Sequence, residues 1–416
     1  MLVSTVAKTE PGPSDVVTAL ILSPFFYPEP ISTGRYNLTM AQGLQDAGCA
    51  VSVACCHPFY PAWQVERSAA QLPGMGILRG GGWLRFPGSP MLRRAVLESW
   101  FALFATWTVW RRRHQVDTVV AVFPPSLFFL GVSAVLPKTV RRVGVIHDLQ
   151  GVHAEASRSK LTRALVGVIG AIERRAFRAC DQLVVLSSAM GDKLVETTGV
   201  AAGRIRVVYP FVNLPQPVPG ASRLAAQFPS GRVHLLYSGA LGEKQNPSLL
   251  ADIFEAIAQT MPEVMIHVFS EGPAFEVMKA RFAERSLPAV SFQPLVPEQD
   301  VAELYARADI QLIPQAAGTQ HGSMPSKLPN ILASGRQVLA ICDDDSELAT
   351  MIARFDAGLS LASWAPSAVQ QVLAQLVARV RDPDAPKADV AAVRAFFSLD
   401  RLTDAILGDR QGVGAR

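Results

Sequence analysis

An alternation constrains this chain more than any other feature. Short runs rich in Val, Ile and Leu recur along it, and most are followed by a stretch with helical spacing. Apolar runs of about four to eight residues bounded by turn residues read as buried strands, and strands alternating with helices build parallel sheets. In the first half, strands are expected at Val17–Ser23, Ala50–Cys55, Thr118–Phe123, Arg142–His147, Gln182–Leu186 and Ile205–Tyr209. Helices are expected over Arg35–Ala47 and Lys160–Cys180. The second half predicts strands at His234–Ser238, Val264–Phe269, Val290–Phe292, Ile310–Pro314, Gln337–Ile341 and Gly358–Leu361. Between the halves lies Pro215-Gln-Pro-Val-Pro-Gly220, where proline at every second position holds the backbone extended and stops any helix. At 416 residues the chain exceeds what one core fills, which is about 250–300. Two doubly wound α/β domains are therefore expected, 1–213 and 214–395, with 396–416 as a C-terminal tail placed to pack on the first. In such sheets ligands bind beyond the carboxyl ends of the strands. Two facing sheets would put one site in the cleft between them.

Composition removes several classes. Hydrophobic residues at 49% and charged residues at 18% exclude a disordered chain. Five cysteines without a Cys-x-x-Cys pair provide neither a disulfide framework nor zinc spacing, and are read as small buried hydrophobes. Residues 1–15 lack a basic-then-apolar signal pattern, so a cytoplasmic location is expected. Residues 1–211 carry 22 Lys and Arg against 13 Asp and Glu, a surplus of nine positive charges; the remainder has five more negative than positive. The basic half lacks the interleaved aromatics of an RNA-binding module, so no nucleic-acid partner is expected.

Mean hydropathy of +0.23 is high for a soluble chain, and two apolar stretches need a membrane test. Val119–Pro137 carries no charge, but Pro124-Pro125 cuts it into a strand and a following helix, which is core. Leu92–Trp110 differs: Arg93 and Arg94 open it, Arg111, Arg112 and Arg113 close it, and Trp100 and Trp107 lie inside. From Ala95 to Trp110, with Glu98 interrupting, it runs 16 residues, short of the roughly 20 of a spanning helix. It is either a helix buried in the protein or one lying in a membrane interface, with tryptophans at headgroup depth and arginines on anionic lipid.

Four loops carry candidate chemistry. Gly34, at the start of a helix after the first strand, suits a phosphate through backbone N–H groups, although many such turns carry glycine for conformation alone. Gly239, Gly242 and Lys244 form a glycine loop closed by Asn246 as N-cap and Pro247 at the first helical position. Lys244 there either neutralises a diphosphate or is a solvated lysine on a turn. No Walker loop is present. Gly272 follows the next strand, and Gly322 to Leu328 precede a short helix that Ser326 can cap, with Lys327 beside it.

These loops, with Tyr27-Pro-Glu-Pro, Pro58-Phe-Tyr-Pro-Ala-Trp63, Ala308-Asp-Ile310 and Ala333-Ser-Gly335, resemble those of the retaining nucleotide-sugar glycosyltransferases of the GT-B fold, glycosyltransferase family 4. The set is similar to the bacterial exopolysaccharide branch of colanic-acid type and spans about residues 18 to 350. The resemblance implies a GT-B fold and transfer of a sugar from a UDP- or GDP-linked donor to a saccharide acceptor. It implies that Gly34 lends its backbone to the donor diphosphate and that Lys244 neutralises the leaving nucleoside diphosphate. Gly272 and Leu295 would border the nucleotide, and Ser323, Ser326, Lys327 and Leu328 would bind phosphate or donor sugar. His147, followed by Asp148, stands where relatives keep a histidine near the transferred sugar; a buried structural His–Asp pair is the alternative. One departure stands out: the family's two glutamates fall at Gly322 and Asn330, neither acidic, and Asn330 retains only hydrogen bonding toward a ribose.

Charge develops on the leaving phosphate, which lysines and helix N-termini stabilise, and no cofactor or metal is expected. Closure about the Pro215–Gly220 linker would keep water out. A peripheral place on the inner membrane face would make the acceptor polyprenyl-diphosphate-linked. The competing readings are a nucleotide-sugar 2-epimerase, a glycoside hydrolase and a non-catalytic scaffold. A hydrolase would need two flanking carboxylates, and no motif proposes them.

Overall fold

The structure is a computed structural model and describes residues 16–29, 32–149, 160–214, 223–285, 287–318, 324–385 and 387–408. The chain forms two compact units, Met1–Val208 with Leu399–Arg416, and Tyr209–Ser398. The proline-rich segment 215–220 and residues 1–15 lie outside the described residues.

The first unit holds a seven-stranded parallel sheet of β1 (Thr18–Leu22), β2 (Ala50–Cys56), β3 (Gly76–Gly80), β4 (Thr118–Phe123), β5 (Arg141–Ile146), β6 (Gln182–Val185) and β7 (Ile205–Val207). The spatial order is β3-β2-β1-β4-β5-β6-β7, so the order reverses between β1 and β4. Five helices connect the strands: α1 (Ser32–Asp46), α2 (Pro90–Arg112), α3 (Phe128–Val135), α4 (Lys160–Arg178) and α5 (Ser188–Thr198). Every residue of β4 is buried, as expected of a central strand covered on both faces. Along β1 the side chains alternate: Leu20 and Leu22 enter the cluster of Phe101, Phe123, Phe128 and Phe177, and Ala19 and Ile21 are buried outside it.

The Leu92–Trp110 stretch lies in a 23-residue helix, Pro90–Arg112, with one buried face, as the buried reading expects. Leu97, Phe101, Ala105, Thr108 and Val109 recur on one buried face and pack toward α3, while Leu103, Trp107 and Trp110 are exposed on the other. No helix among the described residues is long and apolar enough to cross a membrane.

The second unit repeats the pattern with six parallel strands, β8 (Val233–Ser238), β9 (Val264–Phe269), β10 (Val290–Gln293), β11 (Ile310–Pro314), β12 (Gln337–Ile341) and β13 (Gly358–Leu361). Their order is β10-β9-β8-β11-β12-β13, reversing between β8 and β11. The helices are α6 (Pro247–Thr260), α7 (Pro273–Arg285), α8 (Val301–Arg307), α9 (Leu328–Ala333), α10 (Glu347–Arg354), α11 (Pro366–Arg381) and α12 (Val390–Phe396). Two clusters of buried side chains result, one built with α6, α7 and α11, the other with α8, α9, α10 and α12. Phe396 and Phe397, expected in the tail, belong to this unit: both lie against Tyr209 and Phe355. Only the last helix, α13 (Leu399–Leu407), returns to the first unit, where it packs on α1 and β6. Gly43 on α1 makes room for it, since a Cβ there would meet the Leu399 side chain at 2.8 Å.

Candidate functional site

In the second unit the expected donor-site loops leave one edge of the sheet, the carboxyl ends of β8 to β11. Gly239 N–H donates to the Phe269 carbonyl and Ser270 N–H to the Gln293 carbonyl, tying the ends of β8, β9 and β10 together. Gly242 N–H is closed by the Gln245 side chain, and the Lys244 main-chain carbonyl accepts from Ala316 N–H beyond β11. The loop after β8 is therefore anchored at the point where strand order reverses, and Lys244 stands exposed on its one-turn helix. Asn246 precedes Pro247 as expected, but its side chain caps nothing. Its backbone is left-handed at φ 45°, ending the turn before α6 begins.

Lys327 is drawn inward. Its ammonium donates to the Ser238 carbonyl at 2.9 Å and lies 4.5 Å from the centre of the Tyr237 ring. Gly239 permits this: at φ 139° it carries no side chain, and a Cβ would sit 3.2 Å from the ammonium. Burial lowers the Lys327 pKa from 10.5 to about 8, so the charge persists at neutral pH in surroundings that penalise it. A half-buried cation at a sheet switch point has the chemistry to attract an anion.

Other predicted residues divide. Gly272 is exposed at φ 99° with open space around it, and Leu295 is exposed after β10. Ser326 does not cap α9: that helix is six residues long and its N-cap is Lys327, because the Pro325-to-Leu328 turn delays the first helical residue. Leu328 is fully buried in the core and offers only backbone. Asn330 is engaged by Asn213, donating to its side chain at 2.6 Å and accepting its N–H at 2.9 Å, so both polar atoms are occupied. Ser323 and Gly322 lie outside the described residues.

In the first unit Gly34 is buried in the opening turn of α1, where a Cβ would meet the Glu29 carbonyl at 3.0 Å; close packing explains the glycine. His147, directly after β5, sets its ring edge-on to Tyr36 at 4.6 Å, and its Nε2 is buried without a partner among the described residues. Burial lowers its pKa to about 4, leaving it neutral at physiological pH. Asp148 is half-buried beside it.

The basic and aromatic residues of α2 separate by face. Arg93 is used internally, donating to the Pro87 carbonyl at 2.7 Å and covering the Trp63 ring. Trp100 turns inward, stacked on Phe104 at 5.0 Å. Gly80 accommodates the pair, since a Cβ there would come within 2.8 Å of both rings. Trp107 and Trp110 face outward under the guanidinium groups of Arg111 and Arg113, with Arg112 between. Leu103, Trp107 and Trp110 with Leu127, Leu130 and Val135 line an apolar groove of about 700 Å³ between α2 and α3. Arg94 lies elsewhere, 3.8 Å from Glu98.

Two acids, Glu29 buried and Glu98 half-buried, have no role in the sequence reading yet hold backbone N–H groups. Glu29 is 2% exposed, and its Oε1 accepts N–H groups from Phe59 at 3.0 Å and Tyr60 at 2.6 Å. Glu98 accepts Leu127 N–H at 3.1 Å. Burial raises both pKa values. A single acid inside an apolar segment, as in Tyr27-Pro-Glu-Pro, is the signal that marks such a residue. Among the described residues no group of three or more His, Cys, Asp or Glu could hold a metal ion.

Similarity to known proteins agrees with this geometry. The fold matches that of sucrose-phosphate synthase from Thermosynechococcus elongatus at 16% identity and a TM-score of 0.62, over 95% of this chain and 96% of that one. WaaG, a glycosyltransferase involved in lipopolysaccharide biosynthesis, matches at 16% identity and a TM-score of 0.61, over 94% and 100%. The fold is GT-B. Within this GT-B chain, residues 33–216 match the family described as Glycosyltransferase Family 4. The chain is also 26% identical over 358 residues to WcaI of Escherichia coli (strain K12), provisionally named a colanic acid biosynthesis glycosyl transferase, covering 79% of this chain and 84% of WcaI. Together these likenesses support a GT-B glycosyltransferase.

Proposed function

We propose that the protein is a retaining glycosyltransferase that moves a sugar from a UDP- or GDP-linked donor to a hydroxyl of a lipid-linked saccharide in surface-glycan synthesis. The observation that carries the reading is the pair of lysines at the switch point of the second sheet, Lys244 exposed and Lys327 held against Ser238 and Tyr237. The donor's bond from the anomeric carbon to diphosphate breaks, and its electron pair goes to the phosphate oxygen, where the two ammonium groups meet the new charge. The acceptor oxygen bonds to the anomeric carbon on the face the diphosphate leaves, and its proton passes to the departing diphosphate. The reaction so written uses no metal or cofactor. His147, neutral and with Nε2 unpartnered, is the first unit's candidate for a sugar hydroxyl.

The lipid-linked acceptor and a peripheral place on the inner membrane face are supported by the exposed face of α2. Leu103, Trp107 and Trp110 border an apolar groove, and Arg111 and Arg113 cover the two tryptophans. The roles of WaaG in lipopolysaccharide biosynthesis and of WcaI, by its name, in colanic acid biosynthesis fit this class of product.

The test incubates the protein with labelled UDP- and GDP-sugars and an extract of polyprenyl-diphosphate saccharides. The expected product is a lipid saccharide extended by one sugar whose anomeric configuration, read by NMR, equals the donor's. Free sugar, an epimerised nucleotide sugar, or an inverted linkage as the product would refute the proposal.

A further inference from the structure

The outer edge of the first sheet, away from its switch point, gathers cations that the transferase reading does not use. β3 and β2 are the outermost strands on that side. His57 follows β2 directly, Arg79 lies in β3, and Gly80-Gly81-Gly82 ends β3 and leads to Trp83. Two of the three glycines are explained by the fold: Gly80 admits the Trp100 and Phe104 rings, and Gly81 is left-handed at φ 77°. Gly82 has neither reason. Its bare Cα lies under two nitrogen donors, for a Cβ there would stand 3.2 Å from His57 Nε2 and 3.4 Å from Arg67 Nε. One small space therefore borders both side chains.

The hydrogen bonds around that space fix which nitrogens remain available. Ser68 N–H donates to His57 Nδ1 at 3.1 Å, so Nδ1 is the lone-pair nitrogen of a neutral ring and Nε2 carries the hydrogen. That Nε2–H has no partner among the described residues. Burial, and then the charges of Arg79 and Arg67, lower the His57 pKa and keep the ring neutral at physiological pH. Arg67 Nε donates to the Gly82 carbonyl at 3.1 Å, which holds the guanidinium beside the glycine; its two terminal nitrogens make no hydrogen bond or ion pair among the described residues. Arg79 donates internally, to the Tyr27 carbonyl at 2.6 Å and the Ala70 carbonyl at 3.2 Å, and adds only its charge. The two charges that reach His57 are thus both positive.

We propose that His57 and Arg67 bind a singly charged phosphate group over Gly82, either the phosphodiester of a lipid headgroup or a free phosphate. His57 Nε2–H donates to one phosphate oxygen and the Arg67 guanidinium to the others, in the space that a side chain at position 82 would fill. Charge selects among ligands. One free guanidinium beside a neutral donor matches a single negative charge, whereas a nucleoside diphosphate would bring more than the site neutralises. Trp83, the next residue, is 70% exposed, and an exposed tryptophan beside a cation suits headgroup depth at a membrane, which favours a phosphate presented by lipid. The site uses none of the residues of α2 and does not depend on the transferase reading.

The test uses full-length protein carrying isotope-labelled histidine, with the His57 NMR signals assigned from His57→Gln. Inorganic phosphate and glycerophosphoglycerol, the soluble headgroup of phosphatidylglycerol, are titrated in turn, and flotation is measured with phosphatidylcholine vesicles with and without phosphatidylglycerol. At least one soluble probe is expected to move the His57 Nε2 signal saturably. Gly82→Ala fills the space and leaves every charge in place, and its binding should be weaker by at least about tenfold, the worth of one charge-assisted contact. Arg67→Gln keeps a donor for the Gly82 carbonyl and should lose about as much, which decides the matter alone if Gly82→Ala does not fold. Stronger flotation of wild type than of Gly82→Ala on phosphatidylglycerol vesicles assigns the phosphate to lipid; equal flotation with a saturable response to inorganic phosphate assigns it to a free phosphate. No saturable movement of His57 with either probe, or undiminished binding in the variants, would overturn the proposal. Charge reversal of Arg111, Arg112 and Arg113 should leave the His57 response unchanged, and its loss there would overturn the proposal as well.

Discussion

Replacing Lys327 by methionine separates what the lysine costs the fold from what it does for a ligand. Its pKa is lowered from 10.5 to about 8, and at 1.36 kcal/mol per unit this penalises the charged form by about 3 kcal/mol. Because the folded pKa lies below the unfolded one, the unfolded chain binds more protons between about pH 8 and about pH 10.5, and stability rises with pH through that window. Methionine keeps an apolar stem over Tyr237 and removes the penalty, but forfeits the bond to the Ser238 carbonyl, worth about 1.5–3 kcal/mol for a charged donor. The two terms nearly cancel. Lys327→Met should melt within about 4 °C of wild type near pH 7 and lose the alkaline rise in stability. Its affinity for the nucleoside diphosphate that binds wild type should fall roughly 10- to 100-fold, the loss of one charge-assisted contact. Melting curves from about pH 7 to about pH 11, with and without nucleotide, measure both. A variant that keeps the full nucleotide shift, or shows the same pH profile as wild type, would refute the reasoning.

Further perturbations follow from the same structure. Glu29→Ala strands the Phe59 and Tyr60 N–H groups and should cost about 2–4 kcal/mol by denaturant titration, whereas Glu29→Gln keeps an acceptor and should cost less. The raised pKa of Glu29 makes its own contribution greatest below the usual 4.5 and lost as pH rises through the folded value; Glu29→Gln should remove that slope. Gly358→Ala puts a Cβ 2.0 Å from the Val338 carbonyl oxygen, a backbone atom in the adjacent strand, and should destabilise by more than about 3 kcal/mol or prevent folding, read as loss of soluble protein. Charge reversal of Arg111, Arg112 and Arg113 should weaken flotation with anionic vesicles by about 1 kcal/mol per residue, and Trp107→Ser should weaken it independently of salt; unchanged partition would remove the membrane assignment.

The parallel strands were legible in the sequence because buried strands leave continuous aliphatic runs. Thr118–Phe123, Val264–Phe269, Ile310–Pro314, Gln337–Ile341 and Gly358–Leu361 coincide with β4, β9, β11, β12 and β13 residue for residue. The strand Gly76–Gly80 is not legible in the sequence: it is a short edge strand, half-buried, with glycine at both ends and no aliphatic run. Loops were found but not the directions of their side chains. Nothing in the spacing of Lys327 says that it turns back to Ser238, or that Asn330 is occupied by Asn213, because those partners lie 89 and 117 positions away. Likewise α2 reads as uniformly aromatic and basic until packing divides it, with Arg93 and Trp100 inward and Trp107 and Trp110 outward. Glu29, buried, and Glu98, half-buried, are the least legible, since each is explained only by the N–H groups it satisfies.

Titration of the protein with UDP-, GDP-, ADP- and dTDP-sugars, repeated with Lys244→Ala, tests the central claim that the loop after β8 holds a donor diphosphate. One nucleotide class should bind wild type and lose at least about tenfold in affinity in the variant, the worth of one charged contact. Absence of binding by every nucleotide sugar, or equal affinity in Lys244→Ala, would contradict the account.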